Sequence, residues 1–464
     1  MELGFGLTEI FTPVLYAGCM LAVVLTLFYR IEIGIYTFVF FLPLQNVLDY
    51  AIDFPLGKDI NDLLLVAMLI RWIINSQKNN SFLQKTPLNI PILLLVAWTF
   101  FSVWHGSHYI GVPLSINPVD PRIMAWKNYL IPFMIYFIIV NNIKSRLQIK
   151  ILLFVMIGSI LILDRNFYNI IKYIDTTHYT SSFRHLGTPS SLSGNFLAVF
   201  LASYAIFLLT LFLYDHNIWR KLIYGSVGAL SYYCIMFLFS RSGYLAAFSS
   251  WAFIGLVKNK KLLLAVILII LFWQSVLPLS VRERIEMTKT EEGFDGTTME
   301  RFGMWEEARI LINENPLIGA GFDITRQITV TDGGITNYSW HSFHNNFLQT
   351  AVETGYIGLG LVLLLFILGI HSGWKLVTIS RDNFDKGLGL GMIGCTIATL
   401  AGNVAGSYWH FFNIIGFYWV FLALVVATTK IIERQESKPQ FPRETKVEEN
   451  NLFYLNRVES MLQE

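Results

Sequence analysis

The sequence predicts an all-α fold: a polytopic membrane helix bundle of about 12–13 spans, with one long outward-facing loop that itself contains a helix. Three observations predict it. Hydrophobic residues fill 54% of the 464 positions and charged residues only 14%, where an ordinary soluble domain carries about a quarter charged. The apolar residues gather into blocks such as Val14 to Phe28, Ile92 to Val103, Phe196 to Leu213, Leu262 to Phe272 and Ile357 to Ile370. Lys and Arg recur in every second connection between blocks, as they do on the cytoplasmic side of a membrane protein.

With flanking small and aromatic residues included, most blocks reach the roughly 17–25 residues of a span. About thirteen follow: 11–28, 33–48, 61–75, 90–104, 126–141, 149–163, 194–214, 220–240, 242–257, 261–278, 346–371, 387–403 and 412–430. Arg30, Lys78, Lys85, Lys144, Arg146, Lys150, Arg220, Lys221, Lys258, Lys260, Lys261, Lys375, Arg381, Lys386, Lys430 and Arg434 then share one side under strict alternation. Assigning that side to the cytoplasm puts the N-terminus outside and the C-terminus inside. The expected organisation is an N-terminal bundle (1–278), an outward loop (279–345), C-terminal helices (346–432) and a polar cytoplasmic tail (433–464).

Two outward loops hold the interesting chemistry, 164–193 and the longer one. In the longer, Phe302, Trp305 and Ile312 recur at roughly helical spacing between Thr298 and Asn313. Thr297 or Thr298 can cap that helix, Asn315-Pro316 ends it, and Gly319 and Gly321 provide a turn. The net charge of +2 and the lack of a basic tract with interleaved aromatics argue against nucleic acid as a partner. Cys19, Cys234 and Cys395 lie in separate apolar blocks and read as small buried hydrophobes. The N-terminus lacks the basic region of a cleaved signal peptide.

Three stretches stand out: Ser240-Arg241 at the outer end of a span; Arg301 with Trp305, followed by Asn315-Pro316-Leu317-Ile318-Gly319-Ala320-Gly321; and His341-Ser342-Phe343-His344-Asn345, running into Gly355 and Gly358. Each has a plainer reading alone. Arg241 could snorkel to headgroups, Arg301 could be a solvated helix charge with Trp305 packed beside it, and the glycines could serve helix packing. His341 and His344 are spaced as metal ligands can be, without a third ligand nearby.

Together these stretches resemble the O-antigen ligase and exopolysaccharide polymerase family. His344-Asn345, nine intervening residues, then Gly355-x-x-Gly358 is similar to the ligase signature. Arg241 resembles the family's basic residue at a helix end, Arg301 and Trp305 its loop helix, and Arg184-His185-Leu186-Gly187-Thr188 its Arg-x-x-Gly-Thr stretch. The resemblance implies a GT-C-like bundle in the bacterial inner membrane with its active site facing the periplasm. It implies an undecaprenyl-pyrophosphate-linked glycan as donor, a glycan or lipid A-core-like hydroxyl as acceptor, and inversion at the anomeric carbon. No cofactor is expected. The sequence has no Asp-x-Asp, so arginines can replace the metal at the leaving pyrophosphate. His344, Arg241 and Arg301 are then the expected catalytic residues, and Arg184, His341, Trp305 and Asn345 the expected substrate-binding ones. A histidine suits general-base work near neutral pH. A transporter or flippase of the same lipid-linked glycan is the alternative, but it would place ionisable residues near the midplane; a scaffold would not require them.

Overall fold

The computed structural model describes residues 7–79, 82–113, 117–185, 193–287, 289–290, 293–324, 330–331, 334–335 and 342–437. It is helical almost throughout. The first half comprises α1 (Leu7–Phe28), α2 (Ile31–Phe41), α3 (Gln45–Leu48), α4 (Ile60–Asn79), α5 (Asn89–Tyr109), α6 (Pro121–Asn142), α7 (Arg146–Ile171), α8 (Gly194–Tyr214) and α9 (Ile218–Phe237). The second comprises α10 (Arg241–Val257), α11 (Lys260–Leu271), α12 (Trp273–Val276), α13 (Leu279–Glu286), α14 (Gly296–Glu314), α15 (Asn346–Ile379), α16 (Asn383–Val404) and α17 (Phe412–Glu436). Two antiparallel ladders of two-residue strands, Lys289–Thr290 with Gly293–Phe294 and Val330–Thr331 with Gly334–Ile335, are the described β-structure.

Eleven of the thirteen expected spans each fall on one helix; 33–48 is divided between α2 and α3, and 261–278 between α11 and α12. Eight described helices, α1, α5–α8 and α15–α17, are long and apolar enough to cross a membrane, so this is a multi-pass membrane protein. The bent pair 31–41 and 45–51, folded by 106°, would make a ninth. The expected span 261–278 is interrupted at Phe272, which leaves the helical geometry at φ −113°, ψ 23°. The twelve residues of α11 reach about 18 Å, short of a hydrocarbon core of about 30 Å. The outer loop expected from residue 164 starts later, because α7 continues to Ile171. At the other end α17 continues to Glu436, past the start of the expected tail. Residues 438–464 lie outside the described set.

Local chemistry explains where helices begin. Ser145 and Gln148 form a reciprocal capping box on α7. Asn217, Asn259 and Asp382 cap α9, α11 and α16. The core sits where α16 packs on α8, α10 and α15, and where α17 packs on α6. Trp419, Tyr418, Trp409, Tyr136 and Phe133 fill it. The three cysteines are buried thiols.

Helix α15 is broken inside its length. Gly355 takes φ 67°, ψ −176°, which only glycine adopts readily. The break frees backbone carbonyls, and the glycine-rich turn after α14 receives them. Ala320 N donates to the Val352 carbonyl at 2.7 Å, and Gly321 N to that of Glu353 at 3.1 Å. Trp98 Nε1 donates to the Thr354 carbonyl at 2.8 Å, and Ser102 Oγ to that of Glu353 at 2.7 Å. In return the Pro316 carbonyl accepts from Tyr356 N at 2.8 Å. Broken backbone at membrane depth persists only when partnered in this way. The Asn-Pro-Leu-x-Gly-x-Gly stretch and the Gly-x-x-Gly stretch are thus two halves of one joint. A Cβ on Gly319 would lie 2.5 Å from Gly355 N, and one on Gly355 would lie 2.1 Å from the Leu317 carbonyl oxygen. From Tyr356 to Ile379 the helix still spans about 36 Å, so the turn ahead of the break is free to sit at the interface. Gly355→Ala should therefore destabilise the fold by at least the ~1–3 kcal/mol of backbone strain. A lowered unfolding midpoint and a poorer monodisperse yield in detergent are expected, and an unchanged midpoint would refute the joint.

Candidate active site

Four segments meet at the end of the bundle where α10, α14, α15 and α17 begin. The first is the turn into α10. Phe239 has φ 50°, and its carbonyl accepts from the buried Arg284 Nε at 3.2 Å. Ser240 caps the helix, and Arg241 is its first residue. Asp295 holds the Arg241 guanidinium with Nη2 to Oδ2 at 3.1 Å and Nη1 to Oδ1 at 3.4 Å, and Thr297 Oγ1 accepts from Nη2 at 3.0 Å. Partial burial pushes the Asp295 carboxyl up. Hydrogen bonds from Thr298, Thr297 and Arg241, with the guanidinium charge, outweigh this and hold it well below the usual carboxylate range.

The second segment is α14. Asp295, not Thr297 or Thr298, is its cap: the carboxylate accepts from Thr298 N at 3.1 Å and from both threonine hydroxyls. A carboxylate is as good a cap as a threonine and gains from the helix dipole. One residue therefore both starts α14 and fixes Arg241. Its depressed ionisation has a testable sign. The stabilisation it gives is complete above the unfolded carboxylate value near 3.9 and is lost only as pH falls from there toward its folded value. The difference in unfolding midpoint between wild type and Asp295→Asn should stay constant from pH 8 to pH 5 and narrow only in stronger acid. Narrowing already near pH 6 would contradict the pairing.

The third segment is the turn before α15. His344 is exposed, with φ 47°, and its N–H donates to Ser342 Oγ at 3.3 Å. Trp305 of α14 donates Nε1–H to the Phe343 carbonyl at 2.9 Å, tying the two segments together. Asn345 caps α15, its Oδ1 accepting from Phe347 N and Leu348 N at 3.0 and 3.2 Å. The fourth segment, 405–411, is the floor. Gly406 accepts from Asn346 N at 3.2 Å, Ser407 Oγ lies 3.3 Å from Ser342 Oγ, and Tyr408 Oη lies 2.6 Å from Ser242 Oγ. Burial pushes the Tyr408 phenol up, and the Ser242 hydrogen bond and the positive charge of Arg301 pull it back. Arg301 lies on α14, four residues before Trp305.

Of the expected site residues, Arg241, Arg301, Trp305, His344 and Asn345 come together at this end. Trp305 Nε1 and Asn345 Oδ1 bond to backbone on either side of His344, holding its turn. The backbone of Arg184 lies in a 3-10 turn, Ser181–His185, whose Phe183 ring stacks on Phe239 with centroids 5.2 Å apart. The Arg184 side chain and all of His341 lie outside the described residues, as do Leu186 to Thr188. Among the described residues no three His, Cys, Asp or Glu side chains group as metal ligands.

Sequence reading missed a buried chain behind the turn. His410 Nδ1 lies 2.8 Å from Asn346 Oδ1, and its Nε2 lies 3.0 Å from Glu353 Oε2; Gln349 Nε2 donates to Glu353 Oε1 at 3.0 Å. Glu353 is 1% exposed. An acid inside an apolar helix is itself a functional signal, and that signal was available. The missing part was His410, 57 residues away.

A protein of Rickettsia felis named "Putative polysaccharide ligase" is 26% identical over 210 residues, 42% of this chain. The match spans about half the length of that relative. Residues 226–363 match the family model described as O-Antigen ligase. That segment holds Arg241, Asp295, Arg301, Trp305, His344, Asn345 and the Gly355 break; Arg184 and His410 fall outside it. The O-antigen ligase family likeness carried by the motifs is thereby shown, over residues 226–363.

Proposed function

We propose that this protein is an inverting glycosyltransferase of the O-antigen ligase or polymerase kind. It moves a glycan from undecaprenyl pyrophosphate to an acceptor hydroxyl at the periplasmic face of the inner membrane, in lipopolysaccharide or exopolysaccharide biosynthesis. The observation that carries this reading is the meeting of two arginines and a histidine at one end of the bundle, held by residues whose polar groups serve that placement.

The acceptor oxygen attacks the anomeric carbon, the bond from that carbon to the pyrophosphate oxygen breaks, and the hydroxyl proton passes to the His344 imidazole. Arg241 and Arg301 bind the departing pyrophosphate. Arginine suits this task because its planar fork matches phosphate oxygens and it stays charged. Asp295 holds the Arg241 fork in orientation before substrate arrives, so little ordering cost falls on the reaction step. A lipid-linked glycan transporter is disfavoured because these groups gather at one end, away from the midplane where transporters bind.

The test is turnover by the purified protein in detergent, with no second compartment and with excess chelator. Glycan should appear on the acceptor at an undiminished rate. A rate that collapses with chelator and returns with magnesium or manganese would overturn the arginine clamp. No transfer in detergent, together with substrate movement across vesicles, would favour the transporter.

A further inference from the structure

At the end of the bundle away from the candidate active site, α1, α4, α6 and α17 finish and α2 and α7 begin. Two cavities of about 210 and 200 Å³ lie among them, and they adjoin, since Asn75, Asn142 and Lys144 line both. Helix α17 measures the distance: from Phe412, next to the floor of the candidate site, to Arg434 it rises about 33 Å. Four cations line the joined space. Arg30 comes from the α1–α2 connection, Arg71 from α4, Lys144 from the α6–α7 connection and Arg434 from α17. Among the described lining residues the one carboxylate is Glu32, whose Oε1 accepts from Gln148 Nε2 at 2.5 Å.

The preference of Lys and Arg for one membrane face accounts for positive charge at this end. It does not account for cations gathered around a concave, amide-lined space. Other basic residues at the same end are paired: Arg146 with Asp385, Arg220 with Asp215 at 2.8 Å, and Lys375 and Lys430 with Glu433 at 2.7 and 2.9 Å. None of the four cavity cations is ion-paired among the described residues. Arg71 is oriented by the end of α1, donating Nη2 to the Tyr29 carbonyl at 2.9 Å and Nη1 to that of Leu27 at 3.5 Å. Its Nε is closed to solvent and has no partner among the described residues, and a buried donor of that kind calls for an acceptor. At the same cavity α2 starts with no side chain bonded at its cap, so its first amides also favour an anion. Cations arriving from four separate segments suit a tetrahedral oxyanion, with the guanidinium fork on two oxygens and the ammonium as a point charge. Basic pockets between spans at a membrane face hold lipid phosphates in this way. We propose that these joined cavities bind one phosphate group, carried by an anionic lipid headgroup or present as soluble phosphate. The site is separate from the candidate active site and does not rest on the proposed function.

The experiment uses the full-length protein in detergent and two variants. Lys144→Ala removes an exposed cation that lines both cavities. Lys261→Ala, an exposed lysine at the same end and outside both linings, is the control for general surface charge. Retention of phosphatidylglycerol against phosphatidylcholine is read by native mass spectrometry. Binding of inorganic phosphate to delipidated protein is read from the rise in unfolding midpoint as its concentration increases. Wild type and Lys261→Ala should hold one of these anions about tenfold more tightly than Lys144→Ala does, the factor for one lost charge-assisted hydrogen bond. Retention of phosphatidylglycerol that excess phosphate does not displace assigns the site to a lipid headgroup. Phosphate binding that Lys144→Ala loses, without a preference for phosphatidylglycerol, assigns it to the soluble ion. An unchanged midpoint of Lys144→Ala without added anion shows that the variant is folded. If that folded variant then holds both anions as tightly as wild type, the cavities bind no phosphate and the proposal is overturned. Equal weakening in Lys261→Ala overturns it as well, because only the charge of the surface is then at work. Neither readout involves glycan transfer, so failure here leaves the proposed function untouched, and failure of that function leaves this site standing.

Discussion

Arg301→Ala should lower turnover by about 100–1,000-fold, the usual cost of one lost donor aimed at transition-state charge, with protein level and unfolding midpoint near wild type. Arg301 is half-buried on α14, whose packing rests instead on Ala308, Leu311 and Ile312. Its removal should cost chemistry far more than folding. Arg241 donates to Asp295. Arg241→Ala strands that carboxylate, so part of any loss could be structural. Arg241→Lys keeps the charge and loses the fork, and should impair turnover nearly as severely. The double variant Arg241→Ala with Asp295→Asn removes the charge of both partners while an amide oxygen still caps α14, and should recover stability without restoring activity. Near-normal turnover in Arg301→Ala would mean that α14 only packs. Recovery of turnover in the double variant would mean that Arg241 serves the fold.

Much of the architecture was legible in the sequence because burial in a membrane is written in composition. Eleven of the thirteen expected spans each fall on a single helix, and Trp305 lies on the loop helix that its spacing suggested. Details that depend on distant partners were not legible. Gly355 and Gly358 read as packing glycines, yet Gly355 is a break, stabilised only because the 316–321 turn receives the freed carbonyls. Two threonines beside Asp295 looked like caps; the carboxylate won because it serves Arg241 as well. Arg284 and Tyr408 carry no motif, and only the fold shows that one holds Phe239 and the other meets Ser242. Of the four described non-glycine residues at positive φ, Phe239, Asp323 and His344 sit at this end. Strained backbone gathers where geometry is being imposed.

His344→Ala should cut transfer by about 100-fold or more, within the range for a lost general base, while the lipid-linked donor still binds. The structure sharpens why. The side chain is exposed at the mouth of the site, so its loss leaves no cavity in the core. Its backbone is fixed on both sides: Trp305 holds the Phe343 carbonyl, and Asn345 caps α15. Histidine is among the residues that tolerate the left-handed conformation observed here. Alanine tolerates it less well, so His344→Asn, which also accepts that conformation, separates lost chemistry from a disturbed turn. Donor binding and single-turnover rate should be measured in both variants at several pH values. If both lose turnover and keep donor binding, and the wild-type rate titrates with one group that both variants lack, His344 is the base. If His344→Asn turns over normally, the turn matters and the imidazole does not. If donor binding collapses while saturated enzyme still turns over, His344 holds the donor. The His410–Glu353 pair behind Asn346 then becomes the next place to look for the proton acceptor.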